Sequence, residues 1–151
     1  MCYTSEDVMA ATFNVDLIND VGRCIGEDCL AMGYSGLYGP GINMHRTAYS
    51  GRNFEYYASD PFVAGTICAA EVNGIQSKGV YVYLKHVALN DSESSRRDVN
   101  TWLNEQTARE IYLEVADKAI TDGGAWSVMT GFNRWGATWC GANQNLLTGF
   151  L

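Results

Sequence analysis

Residues 80–86 have the sequence Val80-Tyr81-Val82-Tyr83-Leu84-Lys85-His86. The first five are apolar, β-branched or aromatic with no polar alternation, which is typical of a parallel strand buried on both faces. Lys85 and His86 follow directly, so their side chains begin at the rim of the core, where an unpaired charge is costly. We therefore expect a strand over 80–84 with a functional pair at its carboxyl end, where α/β proteins bind ligands. The alternative is a capping pair that only satisfies nearby carbonyl groups.

Helices and strands alternate on both sides of this stretch. Capping residues and apolar spacing predict helices that follow Asn14, Asp60-Pro61 and Asn104 and that end near Gly33, Lys78-Gly79 and Gly123. Short apolar segments predict strands at Leu37-Tyr38 and Trp126–Met129, and a last helix begins within Ala142–Leu151. This alternation of helix and strand predicts an α/β fold with a parallel sheet.

One face of the first helix is apolar at helical spacing, with Val15, Ile18, Val21, Ile25 and Cys29. The chain has five cysteines in all, an odd number at irregular spacings without a CxxC motif. Zinc binding is therefore not predicted. We expect Cys24, Cys29 and Cys68 to be small buried apolar residues, with a catalytic thiol as the alternative. The odd cysteine count also favours a reducing, cytoplasmic location.

Composition excludes several classes of function. The 151 residues carry 10 Lys+Arg against 17 Asp+Glu, a net charge of −7, and no basic run, which argues against nucleic-acid binding. The sequence contains no stretch of about 18 apolar residues, so it predicts no membrane span. Glycines are frequent, but no phosphate-binding loop is present, so neither a nucleotide nor another cofactor is predicted.

Two long segments, 41–59 and 87–103, follow predicted strands and are the places to expect chemistry. The first mixes hydrogen-bonding and aromatic side chains, which suits a hydroxyl-rich ligand such as a sugar: His45, Arg46, Tyr49, Arg52, Asn53, Glu55, Tyr56 and Tyr57. The alternative is that Arg52 and Glu55 form only a local salt bridge. The second contains Asp91, Glu93, Arg96, Arg97 and Asp98, which we interpret as a solvated cluster of mutually paired charges. The alternative is a pair of carboxylates for acid and base chemistry.

Several ordered motifs carry a family resemblance. They are Gly39-Pro40-Gly41-Ile42-Asn43-Met44-His45-Arg46, then Gly51-Arg52-Asn53-Phe54-Glu55-Tyr56 with Asp60-Pro61, then Lys85-His86, and they continue through Asn90, Glu93, Arg96, Arg109-Glu110-Ile111-Tyr112, Val128-Met129, Phe132-Asn133 and Asn145-Leu146-Leu147. Together they resemble the N-terminal barrel of family-three glycoside hydrolases. The resemblance covers nearly the whole chain.

This resemblance implies a fold and a site. Members are largely retaining, exo-acting β-glucosidases and related enzymes with a (β/α)8 barrel of the TIM type followed by an α/β sandwich domain. Residues 1–151 would be an internal fragment of that barrel, about three β/α units, without the sandwich domain. By resemblance, Arg52, Lys85 and His86 hydrogen-bond hydroxyls of the terminal sugar in the −1 subsite, while Met129 and Phe132 wall the pocket. Phe132 departs from a tyrosine that many members have there.

No catalytic carboxylate is assigned within this chain. The resemblance places the nucleophilic aspartate and the acid/base glutamate beyond residue 151, and it implies no metal. We expect the isolated fragment to be inactive and marginally stable, because a partial barrel leaves strand edges unpaired. The expected partners are a carbohydrate substrate and the missing remainder of the barrel and sandwich domain. The alternative is a non-catalytic carbohydrate-binding or pseudoenzyme domain.

Overall fold

The computed structural model describes residues 2–151. Its α-helices are α1 (Glu6–Ala11), α2 (Val15–Ala31), α3 (Pro61–Gln76), α4 (Glu105–Thr107), α5 (Glu114–Thr121) and α6 (Gln144–Leu147). A π-helical segment, Ala108–Leu113, joins α4 to α5, and single 3₁₀ turns lie at Asn53–Glu55 and Cys140–Ala142. None of the helices in this described part is long and apolar enough to cross a bilayer.

The strands form two separate sheets. They are β1 (Gly36–Leu37), β2 (Tyr81–Val87), β3 (Asn100–Thr101), β4 (Ser127–Thr130), β5 (Arg134–Trp135) and β6 (Thr138–Trp139). The first sheet has the order β1-β2-β4 and is parallel throughout, which confirms the predicted α/β fold with parallel strands. The second sheet, β3-β5-β6, was not predicted, because its strands of two residues are too short to show periodicity.

The three predicted N-caps are confirmed. The side chains of Asn14, Asp60 and Asn104 each accept a hydrogen bond from the backbone N–H three residues later, at 3.0, 2.8 and 2.8 Å. Each bond satisfies one of the N–H groups that a helix start leaves free. Gly33, with φ of +78°, follows α2 in the left-handed conformation that favours glycine.

Helix α3 organises the core. It packs against α2, α5 and β2. The crossing of α2 and α3 is close, because a Cβ on Gly22 would clash with the Glu71 carbonyl and a Cβ on Gly74 would clash with the Asn19 carbonyl. Small residues on both helices therefore set how near α2 and α3 approach each other.

Two predictions for residues 80–86 were wrong. The strand runs to Val87, so Lys85 and His86 lie within β2 and not after it. Only one face is fully buried. Val82 and Leu84 point toward the helices, whereas Tyr81, Tyr83 and Lys85 are half-buried on the other face. On that face Tyr83 stacks on Tyr38, with ring centroids 4.8 Å apart.

Other local predictions also need correction. Val15 and Cys24 are exposed, because α2 buries a narrower stripe centred on Ile18 and Cys29. Tyr38 and Trp126 lie just outside β1 and β4 and are exposed. Helix α1 was not predicted, and the single helix predicted after Asn104 is interrupted by the π-helical segment Ala108–Leu113. Two helices are shorter than predicted, since α3 ends at Gln76 and α6 covers only Gln144–Leu147.

Candidate functional site

A cavity of about 400 Å³ opens beside the carboxyl ends of β2 and β4. Its walls are Tyr38, Arg52, Lys85, His86, Arg96, Met129 and Phe132. All five residues that the sequence indicated for substrate binding are therefore brought together. Arg96 had been assigned to a solvated charge cluster and Tyr38 to a strand, so the sequence missed both as cavity residues.

An irregularity in the sheet explains how two adjacent residues of β2 reach one cavity. Lys85 pairs with Met129 and Val87 pairs with Thr130, so two steps along β2 match one step along β4. His86 is the extra residue of this β-bulge. Neighbouring side chains of a regular strand point to opposite faces, and a bulge breaks that alternation. Lys85 and His86 therefore both line the cavity.

The segment after β1 runs beside β2 and holds His86 from behind. Ile42 N–H donates to the Lys85 carbonyl at 2.6 Å, which places Asn43 against His86. Asn43 Oδ1 accepts from His86 N–H at 3.0 Å and lies 2.9 Å from His86 Nδ1. Both residues are buried, so this amide fixes the imidazole in one orientation.

The other nitrogen of the imidazole faces Arg52. Arg52 Nη1 lies 3.2 Å from His86 Nε2, and a guanidinium can only donate. Nε2 therefore accepts, and Nδ1 carries the proton that it donates to Asn43. Burial lowers the pKa of His86 to about 4, and the positive charges of Arg52 and Lys85 add to this effect. His86 is a neutral imidazole over the physiological range.

Alternating charges surround the cavity, and we call this set the charge chain: Lys85, Glu55, Arg52, Glu93 and Arg96. Glu55 forms ion pairs with Arg52 Nε and, at 3.3 Å, with Lys85 Nζ. Glu93 accepts from Arg52 Nη1 at 3.4 Å and from Arg96 Nη1 at 2.7 Å. Asn90 also donates to Glu93, at 3.1 Å. Each carboxylate thus joins two of the three cations.

The three cations line the cavity, whereas Glu55 and Glu93 do not. Among residues 2–151, Arg52 Nη2 has no hydrogen-bond partner, and Lys85 Nζ contacts only Glu55. These groups are donors only. The cavity therefore presents N–H groups to a ligand that accepts through oxygen, and it offers no carboxylate of its own.

An aromatic wall completes the cavity. Arg96 and Arg97 lie over the ring of Phe132, 4.9 and 5.7 Å from its centroid, in cation–π geometry. Met129 stands opposite Lys85 on β4. Phe132 and Met129 thus supply an apolar surface beside the charged one.

Most of the first long segment serves the structure. His45 Nε2 contacts the carbonyls of Asn53 and Tyr56, at 2.8 and 2.9 Å, and thereby holds the loop together. Tyr57 is buried and donates to Glu71, whereas Tyr49 is 93% exposed. Of the eight residues that the sequence singled out in this segment, only Arg52 lines the cavity.

The prediction of a solvated cluster for the second segment was wrong in part. Asp91 accepts from the backbone N–H of Met44 at 2.7 Å, and burial raises its pKa to about 6. Glu93 and Arg96 belong to the charge chain. Of the five charged residues, Arg97 and Asp98 are exposed, as expected. In the described part of the chain, no group of three or more His, Cys, Asp or Glu is placed to hold a metal ion.

Comparison with known proteins identifies relatives along the whole chain. Residues 3–151 match the family model of the glycosyl hydrolase family 3 N-terminal domain. The thermostable β-glucosidase B of Acetivibrio thermocellus is 38% identical over 150 residues, 99% of this chain and 20% of that enzyme. An exo-α-(1→6)-L-arabinopyranosidase of Bifidobacterium breve is 34% identical over 150 residues, again 99% of this chain and 20% of that enzyme.

Solved structures of related enzymes also superimpose closely on this chain. β-Glucosidase 3B from Thermotoga neapolitana, solved in complex with α-D-glucose, superimposes with a TM-score of 0.96 at 36% identity. The match covers 98% of this chain and 21% of that enzyme. The chain thus spans about a fifth of the length of these relatives. The family match over residues 3–151 shows that the chain belongs to the glycosyl hydrolase family 3 N-terminal domain family.

Proposed function

We propose that this chain is the sugar-binding part of a retaining exo-β-glycosidase of the β-glucosidase type, which removes terminal non-reducing β-D-glycosyl residues. Arg52, Lys85 and His86 would bind hydroxyls of the sugar in the −1 subsite, with Met129 and Phe132 as its walls. One observation carries the proposal: all five of these residues line a single cavity of about 400 Å³ beside the carboxyl ends of β2 and β4.

The chemistry of the cavity supports a neutral, hydroxyl-rich ligand. Sugar hydroxyl oxygens accept hydrogen bonds, and Arg52, Lys85 and Arg96 present donors held in fixed positions by carboxylates. Because the carboxylates offset two of the three positive charges, the wall recognises polar oxygens without requiring an anion. A site whose donors are left unpaired by the wrong ligand discriminates strongly against it.

Bond cleavage needs groups that the cavity lacks. Retaining hydrolysis requires two carboxyl groups about 5–5.5 Å apart, one as nucleophile and one as acid and base. Glu55 and Glu93 are each engaged with two cations and lie outside the cavity lining. We therefore assign both catalytic carboxylates to the remainder of a complete enzyme, and we expect the 151-residue chain alone to be inactive.

The relatives support the class of reaction more than the identity of the sugar. Several are named β-glucosidases, and the Thermotoga neapolitana enzyme was solved with glucose. The arabinopyranosidase of Bifidobacterium breve aligns over the same residues at 34% identity. Sugar preference among relatives therefore does not follow from this segment alone, and we propose a β-glucoside as the first substrate to test.

The test uses the complete polypeptide to which we assign this chain. Arg52→Ala and Lys85→Ala should each lower kcat/KM for p-nitrophenyl β-D-glucoside by about a hundredfold or more, since each removes charged hydrogen-bond donors. Arg23→Ala is the matched control, because Arg23 pairs with Asp20 on the exposed surface of α2. Unchanged kinetics in the two cavity variants would overturn the assignment.

The lack of a carboxylate in the cavity lining also favours a second candidate, a non-catalytic carbohydrate-binding or pseudoenzyme domain. The coding DNA on both sides of this segment distinguishes the two. A downstream strand with an aspartate and a later domain with a glutamate support the glycosidase. Their absence, together with saturable glucose binding by the 151 residues, supports the binding domain.

A further inference from the structure

We propose that Glu55 is a positioning residue, which orients Arg52 and Lys85 toward the ligand without contacting the ligand itself. This inference rests on the proposed sugar-binding function and adds a residue to it. Glu55 lies in the 3₁₀ turn Asn53–Glu55, three residues after Arg52, and its side chain is 16% exposed. It does not line the cavity.

The two oxygens of Glu55 face two different cations. One pairs with Arg52 Nε and the other lies 3.3 Å from Lys85 Nζ. Arg52 and Lys85 come from distant parts of the chain, a loop and the end of β2. Glu55 is thus the group that fixes their relative positions.

Lys85 depends on this contact more than Arg52 does. Within residues 2–151, Glu55 is the one carboxylate within ion-pair distance of Lys85, whereas Arg52 also contacts Glu93. A lysine has a flexible stem and a compact charge, so its direction is set by its partners. Without Glu55, the ammonium would face Arg52 with no intervening negative charge and would turn away from it.

Glu55→Gln keeps the shape of the side chain and removes its charge. The amide oxygen can still accept from one cation, but the amide NH₂ then faces the other. We expect kcat/KM for p-nitrophenyl β-D-glucoside to fall about tenfold to a hundredfold in the complete polypeptide. Glu55→Asp keeps the charge on a shorter stem and should recover part of that loss. Glu27→Gln, which breaks an exposed ion pair with Lys78, is the matched control.

A double-mutant cycle separates positioning from a general structural role. If Glu55 positions Lys85, Glu55→Gln should cost several-fold less in a Lys85→Met background than in the wild type, and the loss that remains reports its contact with Arg52. An equal loss in both backgrounds overturns the positioning of Lys85. The melting temperature of each variant, measured in parallel, shows whether any loss comes from unfolding. If Glu55→Gln fails to fold, Glu55→Asp in the two backgrounds provides the same cycle.

The wild-type measurement distinguishes the two proposals. If the wild type hydrolyses the glucoside and Glu55→Gln has the same kcat/KM, only the positioning role is overturned. A wild type that does not hydrolyse the glucoside overturns the proposed reaction, and glucose affinity measured by calorimetry then replaces kcat/KM for the same variants. Weaker glucose binding by Glu55→Gln supports the positioning role. Equal binding, or no binding by the wild type, overturns it.

Discussion

Arg52 Nη1 donates to His86 Nε2 across 3.2 Å, and this contact makes His86 an acceptor in the cavity wall. The same ring donates through Nδ1 to Asn43 Oδ1. A residue that can carry a proton at physiological pH is therefore held in one neutral form. In the proposed reaction His86 would supply a fixed polar group and would not transfer a proton.

The first prediction follows from this neutral form. Burial and the neighbouring cations lower the pKa of His86 to about 4, so its ring should stay neutral at pH 5, where a free histidine is mostly charged. Imidazole ¹⁵N shifts report the tautomer and the titration directly, and the chain has only 2 histidines to assign. Asn43→Asp places a carboxylate against Nδ1 and should raise the pKa of His86 back toward its ordinary value.

This lowered pKa also has a consequence for stability. The folded pKa lies below the unfolded value of 6.5, so the unfolded state takes up the proton first as the pH falls. The contribution of His86 is fully present above pH 6.5 and is lost as the pH falls toward 4, a change of roughly 3 kcal/mol. A histidine that titrates near 6.5 in the folded chain would contradict both statements.

The second prediction concerns Glu71, which is buried in α3 and accepts from the Tyr57 hydroxyl at 2.7 Å. Burial raises the pKa of Glu71 to about 7, above the ordinary 4.5. The folded state therefore keeps the proton longer, and stability falls as the pH rises from 4.5 to 7. Glu71→Gln can still accept from Tyr57, and it should raise the free energy of unfolding at pH 8 by roughly 3 kcal/mol.

Urea unfolding at pH 5 and pH 8 measures this gain. The effect of Glu71→Gln should be small at pH 5 and large at pH 8. Between pH 4.5 and 6.5, the titration of His86 raises the free energy of unfolding as the pH rises, whereas that of Glu71 lowers it. The test therefore compares variant with wild type at each pH and does not use the pH dependence of the wild type alone. An effect as large at pH 5 as at pH 8 would mean that Glu71 is already charged at pH 5.

The third prediction tests the close crossing of α2 and α3. A methyl group on Gly74 would clash with backbone atoms of Asn19 and Arg23, and backbone cannot move aside cheaply. Gly74→Ala should therefore destabilise the chain by about 1–3 kcal/mol, although alanine is the better helix former. Urea unfolding measures the change. A neutral or stabilising effect would show that the two helices separate without cost.

The fourth prediction isolates the cation–π contact in the cavity. Phe132→Leu keeps an apolar wall but removes the ring beneath Arg96, so kcat/KM for the aryl glucoside should fall about threefold to tenfold. Phe62→Leu is a matched control, since Lys118 lies 5.0 Å above the exposed ring of Phe62. If the two variants behave alike, the ring of Phe132 serves only as an apolar surface.

Local signals predicted the elements well. The caps at Asn14, Asp60 and Asn104 depend on contacts three residues away, and the sequence shows such contacts directly. The bulge at His86 depends on how β2 pairs with β4. The residues of 80–86 give no indication of how β2 pairs with β4. The predicted strand therefore ends at residue 84, three residues before the observed end at Val87.

The sequence also predicted most of the residues that line the candidate site. Motifs shared with a family identified five residues that the structure places around one cavity. Glu93 and Arg96 also stand in those motifs, but we interpreted them as surface charges, and their contacts with Arg52 and Phe132 are what assign them to the site. Asp91 accepts from the backbone N–H of Met44, a contact across 47 residues that no local pattern indicates.

The charge chain also constrains how this protein can evolve. Lys85, Glu55, Arg52, Glu93 and Arg96 are linked in series, so loss of Glu55 leaves Lys85, and loss of Glu93 leaves Arg96, without a paired carboxylate. Loss of any one cation, by contrast, leaves every remaining charge with a partner. Substitutions of the two carboxylates therefore meet a penalty that substitutions of the cations avoid. Inherited loss of Glu55 should be accompanied by loss of Lys85, and inherited loss of Glu93 by loss of Arg96.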